Sequence, residues 1–548
     1  MKIAEKAWLR GRSLASIALA AAVAIAASAS VSGAGRTSVH PYLQIEQVLT
    51  ADFNDGDVLT YTGVGGGVEA SYEGQRLTAT ISYDYQRRIG WNGDVADDDS
   101  HSGLASVHFD AVPGVLALDA GAMAARASAD PRQPVPNFRT ADNGAAEVYS
   151  VYAGPTLSTH AGPLTVNAAY RLGYVYVDDD DSLAGGDVGP NQGRFDRYTS
   201  STVHNLTASV GMSPGELPFG WTVGGGYVRE DMNRLDATFE GKYVRGDVVV
   251  PVSPTLAVTG GIGVEDQKSS LQDFRRDAAG LPVIDANGRL VADPSRPRLV
   301  AYDESGLIWD AGILWRPSPR TELQARVGHR YGGTTFVGSL EHRINNSYAL
   351  SASVYDNVAS FGRLLVTDLA GVPRRFDQRR DPLTGGPIGL GGCTFGNDPG
   401  TGTCFDDALR SIESFNFRNR GANILLSGGR GPWNFGLGAS YDTRRYLAPP
   451  DSSFILEGVT DKSLSLSASA TRELTRTSSF GVGAYAGWFD SGIAGDDSSF
   501  LTGVTANYER RLFLDNIRAH VAAGLYTSQS GQFDSTVGSL LFGLSYAF

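Results

Sequence analysis

Eight histidines are the first residues that could do chemistry, because hydrolases and metal sites both need imidazoles at a defined spacing. His40, His108, His204 and His520 are scattered along the chain, and no two histidines have the short spacing of metal ligands. The sequence therefore predicts no catalytic residues, no enzyme activity and no cofactor. Distant residues that converge in space to form a hydrolase site remain a third interpretation.

Two runs of aspartates are candidate Ca²⁺ ligands, because hard cations prefer clustered carboxylates. One run is Asp97 to Asp99, and the other comprises Asp178, Asp179, Asp180 and Asp181. Neither has the spaced ligands and turn glycine of an EF-hand loop, so solvated loop carboxylates are the favoured interpretation. Cys393 and Cys404 have no neighbouring His or further Cys to complete a tetrahedral metal site, which favours a disulfide.

The elements that would position these residues are short strands. From Val39 onward, segments of about ten residues with alternating polarity are followed by breaks that are alternately short and long. In one segment Leu77 and Ala79 share a face, while Thr78 and Thr80 share the other, as expected for a wall between lipid and water. Ten short breaks and eleven mostly longer ones predict about 22 strands, within a range of roughly 18 to 24.

The predicted fold is all-β: a transmembrane antiparallel up-and-down β-barrel over residues 39–548 with long extracellular loops, notably 269–305 and 359–415. Both chain ends would be periplasmic. A soluble β-sandwich or propeller also has alternating strands and is the alternative. A TonB-dependent transporter has 22 strands too, but it carries a folded plug before its first strand. Here the strand pattern begins too early for one, so we predict no N-terminal plug and expect only loops to narrow the lumen.

The first 29 residues have the three parts of a secretory signal peptide. A basic start precedes an apolar stretch from Leu14 to Ala27, and Ala27-Ser28-Ala29 offers a cleavage site. Residues 30–38 would form a short periplasmic segment. Cleavage would remove four basic residues and one acidic residue, which makes the net charge of -13 more negative and argues against nucleic acid as a partner.

The break 359–415 is the longest in the chain and holds a basic cluster, formed by Arg374, Arg375, Arg379 and Arg380. Folded inward, these guanidiniums could face the wall carboxylates of Glu46, Asp84 or Glu509 and form a pore constriction. Folded outward, they would pair with acidic lipopolysaccharide or neighbouring loops. A second group of candidates would line the lumen and contact a solute or one another: Arg171, Arg326, Arg330 and Arg518.

The chain ends on alternating aromatic and aliphatic residues: Leu540, Phe542, Leu544, Tyr546 and Phe548. This pattern resembles the C-terminal β-signal that the barrel assembly machinery of Gram-negative bacteria recognises, which implies that machinery as a partner during biogenesis.

Together with the opening residues from Val39 to Ile45, this ending resembles the β-barrel porin families found with bacterial exopolysaccharide and PEP-CTERM sorting systems. The resemblance implies a porin in contact with outer-membrane lipid and lipopolysaccharide, with polysaccharide export and a periplasmic export partner as its finer expectations. The alternative is a surface assembly or anchoring barrel whose lumen is filled by its own loops and which transports nothing.

Overall fold

The computed structural model describes residues 35–54, 56–91, 98–128, 145–178, 198–280, 282–285, 289–376, 383, 393–409, 412–450, 458–493, 495, 497–512, 516–531 and 533–548. The predicted signal peptide lies outside these residues, as does most of the predicted periplasmic segment 30–38. None of the helices in the described ranges has the length and apolarity needed to cross a membrane.

The described chain contains twenty-four strands. The first twelve are β1 (Arg36–Asp52), β2 (Val58–Glu73), β3 (Leu77–Gly90), β4 (Asp98–Val112), β5 (Leu116–Ser128), β6 (Ala145–Ala161), β7 (Leu164–Asp178), β8 (Ser200–Met212), β9 (Gly220–Met232), β10 (Thr238–Ser253), β11 (Leu256–Leu271) and β12 (Leu299–Ser318).

The other twelve are β13 (Thr321–Arg330), β14 (Gly333–Arg343), β15 (Tyr348–Ala359), β16 (Cys393–Phe395), β17 (Gly402–Cys404), β18 (Asn416–Arg430), β19 (Trp433–Leu447), β20 (Thr460–Thr475), β21 (Ser478–Asp490), β22 (Ser499–Leu512), β23 (Ile517–Ser530) and β24 (Phe533–Ala547). Two α-helices, α1 (Phe361–Ala370) and α2 (Asp406–Leu409), lie between β15 and β18, and a 3₁₀ turn spans Arg234–Asp236.

All strands except β16 and β17 form one 22-stranded antiparallel sheet. The sheet closes because β1 pairs with both β2 and β24, with Tyr42 opposite Ala547 and Asp52 opposite Val537. Closure removes the unpaired edges that a membrane cannot tolerate. One rim carries short turns, such as residues 74–76 and 344–347, together with the start of β1 and the end of β24. We refer to this rim as the short-turn end and to the opposite rim as the long-loop end.

The two faces of the wall differ as the alternation predicts. In β24 Leu540 and Phe542 are 56% and 57% exposed on the outer face, whereas Leu541 between them is 1% exposed on the inner face. The same outward exposure holds for Val521 and Leu525 of β23. An apolar outer surface of this kind is stable only against hydrocarbon.

The inside of the barrel is occupied by the connection between β15 and β18. We call residues 360–415 the lumen segment. Its helix α1 packs on β5, β6, β7 and β8, the Thr80 hydroxyl of β3 donates to the carbonyl of Arg374 at 2.9 Å, and Gly400 lies against Ala349 of β15. Leu383 packs with Leu541 of β24. A single segment can contact strands on all sides of a closed barrel only if it lies inside the barrel.

At the long-loop end the lumen segment and the wall share an apolar core. α1 contributes Phe361, Leu364, Leu365, Val366 and Leu369, the inner wall contributes Leu104, Met123, Val148, Val175, Val177 and Val203, and the loop after β11 contributes Phe274. Each fully buried side chain of this size stabilises the folded state by about 1.5–3 kcal/mol. This half of the lumen is therefore packed like the interior of a soluble domain.

This interior corrects the predicted fold. The barrel has 22 strands, but the prediction treated loops only as elements that narrow a water-filled lumen, and the structure places two helices and a two-stranded hairpin inside it. The physical reason is that several inward positions near the long-loop end are apolar. Water would not stabilise these positions, so a packed segment covers them.

Candidate functional site

Helix α1 begins where the chain turns inward from β15. Ser360 caps it by accepting a hydrogen bond from the Arg363 amide at 3.1 Å. Phe361, Leu365 and Leu369 follow at helical spacing and are all buried, so one face of α1 packs on the wall. The helix therefore positions Arg363 at a defined depth next to β9 and β10.

Arg363 forms a buried ion pair with the wall. Its Nε lies 3.3 Å from Oε2 of Glu230, and the two side chains are 8% and 0% exposed. The Ser360 hydroxyl also donates to Glu230, Arg363 donates to Asn416 at 2.7 Å, and its guanidinium stacks over Phe239. Burial lowers the pKa of Arg363 to about 10, opposed by the Glu230 carboxylate, so the side chain stays charged at neutral pH. We call this group the inner latch.

The short-turn half of the lumen segment is a hairpin of β16 and β17. Cys393 lies opposite Cys404 in its register, and the two are joined by a disulfide. Phe395 packs over Gly436 of β19, where a larger residue would clash. The amide of Gly400 donates to Ser427 of β18 at 2.9 Å. Small wall residues thus let the hairpin approach the backbone of the barrel closely.

The predicted basic cluster lies inside the barrel in part. Arg375 pairs with Glu73 of β2 at 3.4 Å and with Asp398 of the hairpin at 3.1 Å, and all three side chains are more than 40% exposed. These carboxylates raise the pKa of Arg375. Arg374 is exposed and has no ion pair within the described ranges. Arg379 and Arg380 lie outside the described residues.

The three predicted partner carboxylates lie on the wall but do not pair with Arg374 or Arg375. Glu46 contacts Gln86 at 2.6 Å and His520 at 3.1 Å. Asp84 accepts from Tyr42 at 2.9 Å and from Gln44 at 3.0 Å. Glu509 lies opposite His520 in the register of β22 and β23. Arg375 instead pairs with Glu73 and Asp398, neither of which is among the predicted site residues.

A second charged group lines the wall of β10, β12 and β13. Arg245 contacts Asp247 at 2.6 Å and Asp310 at 2.7 Å, and Arg326 contacts the same two carboxylates at 2.9 Å and 3.3 Å. The four side chains are between 13% and 21% exposed. We call them the wall cluster. Two cations and two anions in one patch leave the wall polar but nearly neutral.

The other predicted lumen arginines are distributed around the wall. Arg330 pairs with Glu265 at 2.7 Å. Arg171 shares the inner face with Gly173, against which Val366 of α1 packs. Arg518 lies opposite Ser545 in β24, on the face that also carries His520. The structure does not bring Arg171, Arg326, Arg330 and Arg518 together into one ring.

The remaining predicted positions lie away from the lumen. In the C-terminal pattern Leu540, Phe542, Leu544, Tyr546 and Phe548 are all exposed and outward-facing. Asp178 ends β7, whereas Asp179, Asp180 and Asp181 lie outside the described residues. Within the described residues no three His, Cys, Asp or Glu side chains come together as a potential metal site.

One sequence with the spacing of a hydrolase motif lies in a turn. Gly211-Met212-Ser213-Pro214-Gly215 matches Gly-x-Ser-x-Gly, but Ser213 is exposed in the short connection between β8 and β9. A nucleophile of that class sits in a strained turn between a strand and a helix, beside a histidine. The surroundings of Ser213 therefore lack the features of a catalytic centre.

Comparison with known proteins gives structural matches only. No family model matches the chain, and no curated protein matches it. The FrpB iron transporter of Neisseria meningitidis is 12% identical to this chain with a TM-score of 0.44, and the match covers 92% of this chain and 81% of the transporter. The ferric-catecholate import receptor Fiu of E. coli K12 is 10% identical to this chain with a TM-score of 0.43, and the match covers 92% of this chain and 81% of the receptor.

A third match is BauA, the ferric preacinetobactin receptor of Acinetobacter baumannii, at 12% identity and a TM-score of 0.42, with 94% of this chain covering 81% of it. These matches belong to the TonB-dependent receptors, whose barrels hold a plug. The prediction that this chain has no N-terminal plug is corrected: it was inferred from where the strand pattern begins, and the residues before Gly35 lie outside those that the structure describes. At these identities and TM-scores the matches do not indicate what this chain carries.

Proposed function

We propose that this protein is an outer-membrane channel for a polar solute and that the lumen segment is its gate. The observation that carries the proposal is the uneven attachment of that segment. Helix α1 is packed into an apolar core and holds the buried Arg363–Glu230 pair. The hairpin half meets the wall through one exposed ion pair, Arg375–Glu73, and through close packing of Phe395 and the buried Cys393 against small wall residues, with Thr394 between them also buried. A segment fixed at one end and weakly attached at the other can move aside without unfolding.

The wall supports passage of a polar solute. Once the hairpin moves, the solute would meet the wall cluster and Arg330, whose side chains are partly exposed to the lumen, and the buried Glu265 beside Arg330 keeps the summed charge neutral. Such a surface forms hydrogen bonds without trapping ions of one sign. We place the short-turn end and both chain ends in the periplasm and the long loops outside the cell, in contact with lipopolysaccharide.

Membership of the exopolysaccharide-associated porin families, and export of a polysaccharide with a periplasmic partner, are finer parts of this proposal. They rest on the C-terminal pattern and on the opening residues of β1.

A second candidate function is a surface anchoring or assembly barrel without transport. The apolar core at the long-loop end favours it, because a permanently packed lumen needs no route for solutes. The two functions differ in one respect. The gate predicts that the short-turn half can leave the wall, and the anchor predicts that it cannot.

The test is planar-bilayer conductance of the purified protein and of a variant in which residues 361–413 are replaced by a short Gly-Ser linker. We expect low conductance with brief openings for the wild type and a large steady conductance for the variant. Circular dichroism and heat-modifiable gel migration verify that the variant still forms a barrel. A folded variant with an open lumen, next to a wild type that never opens, would overturn the gate and support the anchor.

A further inference from the structure

A cavity of about 720 Å³ lies at the short-turn end, between the wall and the lumen segment. The wall lines it with Glu73, Thr78 and Ser351, and the lumen segment lines it with Arg374 and Asp398. Its size falls within the range of small-ligand sites. A molecule seated there would touch both parts of the proposed gate at once.

The lining is chemically distinctive. It combines carboxylates, hydroxyls, guanidiniums and glycine backbone, and it contains no aromatic residue. Acceptors and donors are therefore present in similar numbers, whereas a flat apolar face for stacking is missing. Such a lining suits a ligand that is bound through many hydrogen bonds rather than through burial of apolar area.

The charges of the lining argue for an uncharged ligand. Glu73, Glu341 and Asp398 stand against Arg374 and Arg375, so the cavity is close to neutral and slightly acidic, in a chain of net charge -13. A free anion would be repelled overall. A sugar offers neighbouring hydroxyls that can donate to a carboxylate and accept from a guanidinium at the same time.

We propose that this cavity is a binding site for an uncharged, hydroxyl-rich solute of the carbohydrate class, and that its occupation opens the gate. Arg374 donates to the ligand, and Thr78 and Ser351 complete the contacts from the wall. The ligand enters between Glu73 and Arg375, which are 3.4 Å apart, and replaces their exposed ion pair with two hydrogen bonds to its own hydroxyls. The coupling rests on the proposed gate, whereas the binding does not.

Binding is tested with maltotriose by isothermal titration calorimetry, in a detergent without a sugar headgroup. We expect saturable binding at one site, weakened about tenfold by Arg374→Gln, because the ligand loses a hydrogen bond to a charged group; tenfold in Kd corresponds to about 1.4 kcal/mol. Ser351→Ala should weaken it severalfold. Ser353→Ala, two residues further along β15 and outside the cavity, is the matched control and should change nothing.

Two further probes decide the class of ligand. Trigalacturonate has the same hydroxyl-rich form with three carboxylates, and spermidine is a flexible cation. Tighter binding of either probe than of maltotriose would overturn the carbohydrate assignment, as would equal binding of maltotriose by wild type and Arg374→Gln. Heat-modifiable migration of each variant verifies that the barrel is folded.

The coupling is tested in the planar bilayer with maltotriose added to one chamber at a time. We expect more frequent openings when the sugar reaches the short-turn end, and no such response in Arg374→Gln. If maltotriose binds but the frequency of channel openings does not change, the coupling between binding and the gate is refuted and the proposed binding site stands. If the variant with residues 361–413 replaced by a linker conducts but the wild type does not bind maltotriose, the binding site is refuted and the proposed channel stands.

Discussion

The two halves of the lumen segment are held by different forces. At the long-loop end α1 is buried among wall residues and is tied down by the Glu230–Arg363 pair, both of whose side chains are nearly inaccessible to water. At the short-turn end Arg375 bridges Glu73 and Asp398, and these three side chains are 43%, 47% and 63% exposed. Removing one partner of a buried ion pair costs about 3–5 kcal/mol, whereas an exposed pair contributes at most about 1 kcal/mol.

This difference assigns a mechanical role to each half. In the proposed gate the hairpin moves first, because lifting it breaks one exposed ion pair and a set of close packing contacts, whereas extracting α1 would expose an apolar core and a buried ion pair. The inner latch then acts as the fixed point about which the segment turns. Each variant below changes one half and leaves the other as an internal reference.

The largest effect is expected from breaking the inner latch. Glu230→Gln leaves the Arg363 charge buried without a partner, which should destabilise the seating of α1 by about 3–5 kcal/mol. Hydrogen exchange of the α1 amides in detergent measures this, with Asp231→Asn at the exposed Arg229–Asp231 pair as control. The double variant Glu230→Gln with Arg363→Met removes both charges and should recover much of the loss. Equal losses in the single and double variants would mean that packing, not the charge pair, seats the helix.

A similar or somewhat smaller effect is expected from the apolar core. Leu365 is fully buried, so Leu365→Ala should weaken the seating of α1 by about 2–5 kcal/mol through lost burial and the cavity left behind. Leu217→Ala, in the exposed turn between β8 and β9, is the matched control. Faster exchange should be confined to α1 and its wall contacts. If exchange of the hairpin amides accelerated as much as exchange of the α1 amides, the two halves of the lumen segment would unfold as one cooperative unit rather than separately.

The wall could be predicted from the sequence because its pattern is local. Leu540, Phe542 and Leu544 alternate with inward positions over a few residues, and two solvents select that period in every strand. Strand number and turn positions follow from the same rhythm. The short-range pattern therefore contains most of the information needed for a barrel.

The filled lumen could not be predicted in the same way. Glu230 and Ser360 are 130 residues apart, and nothing near either residue indicates the other. One signal was available. The run Tyr174-Val175-Tyr176-Val177 is apolar at every position, and Val175 and Val177 are buried on the inner face. A continuous apolar run indicates burial on both faces, and that should have suggested a packed lumen beside β7.

A moderate effect is expected from removing the disulfide. Replacing both Cys393 and Cys404 with Ser frees a loop closed over 11 positions, which should cost the hairpin about 2–3 kcal/mol. Trypsin should then cleave after Arg374 and Arg375 more rapidly, with α1 still protected from exchange. Wild type treated with a reductant should behave like the double variant. Loss of protection in α1 as well would show that the hairpin supports the helix, contrary to the proposed division.

The smallest effect is expected at the exposed bridge. Arg375→Gln removes both ion pairs of that side chain and should destabilise the closed hairpin by about 1 kcal/mol or less, enough to raise the frequency of brief openings severalfold. Because exposed pairs are screened by salt, 1 M KCl should reduce the difference between wild type and variant. Arg320→Gln in the exposed turn between β12 and β13 controls for the loss of a charge at this rim. If neither the substitution nor salt changes the frequency of openings, the ion pairs of Arg375 do not hold the hairpin closed. Its close contacts, Phe395 on Gly436 and Gly402 on Leu425, would then hold it. In that case the gate opens when this packing loosens rather than when charge pairs break.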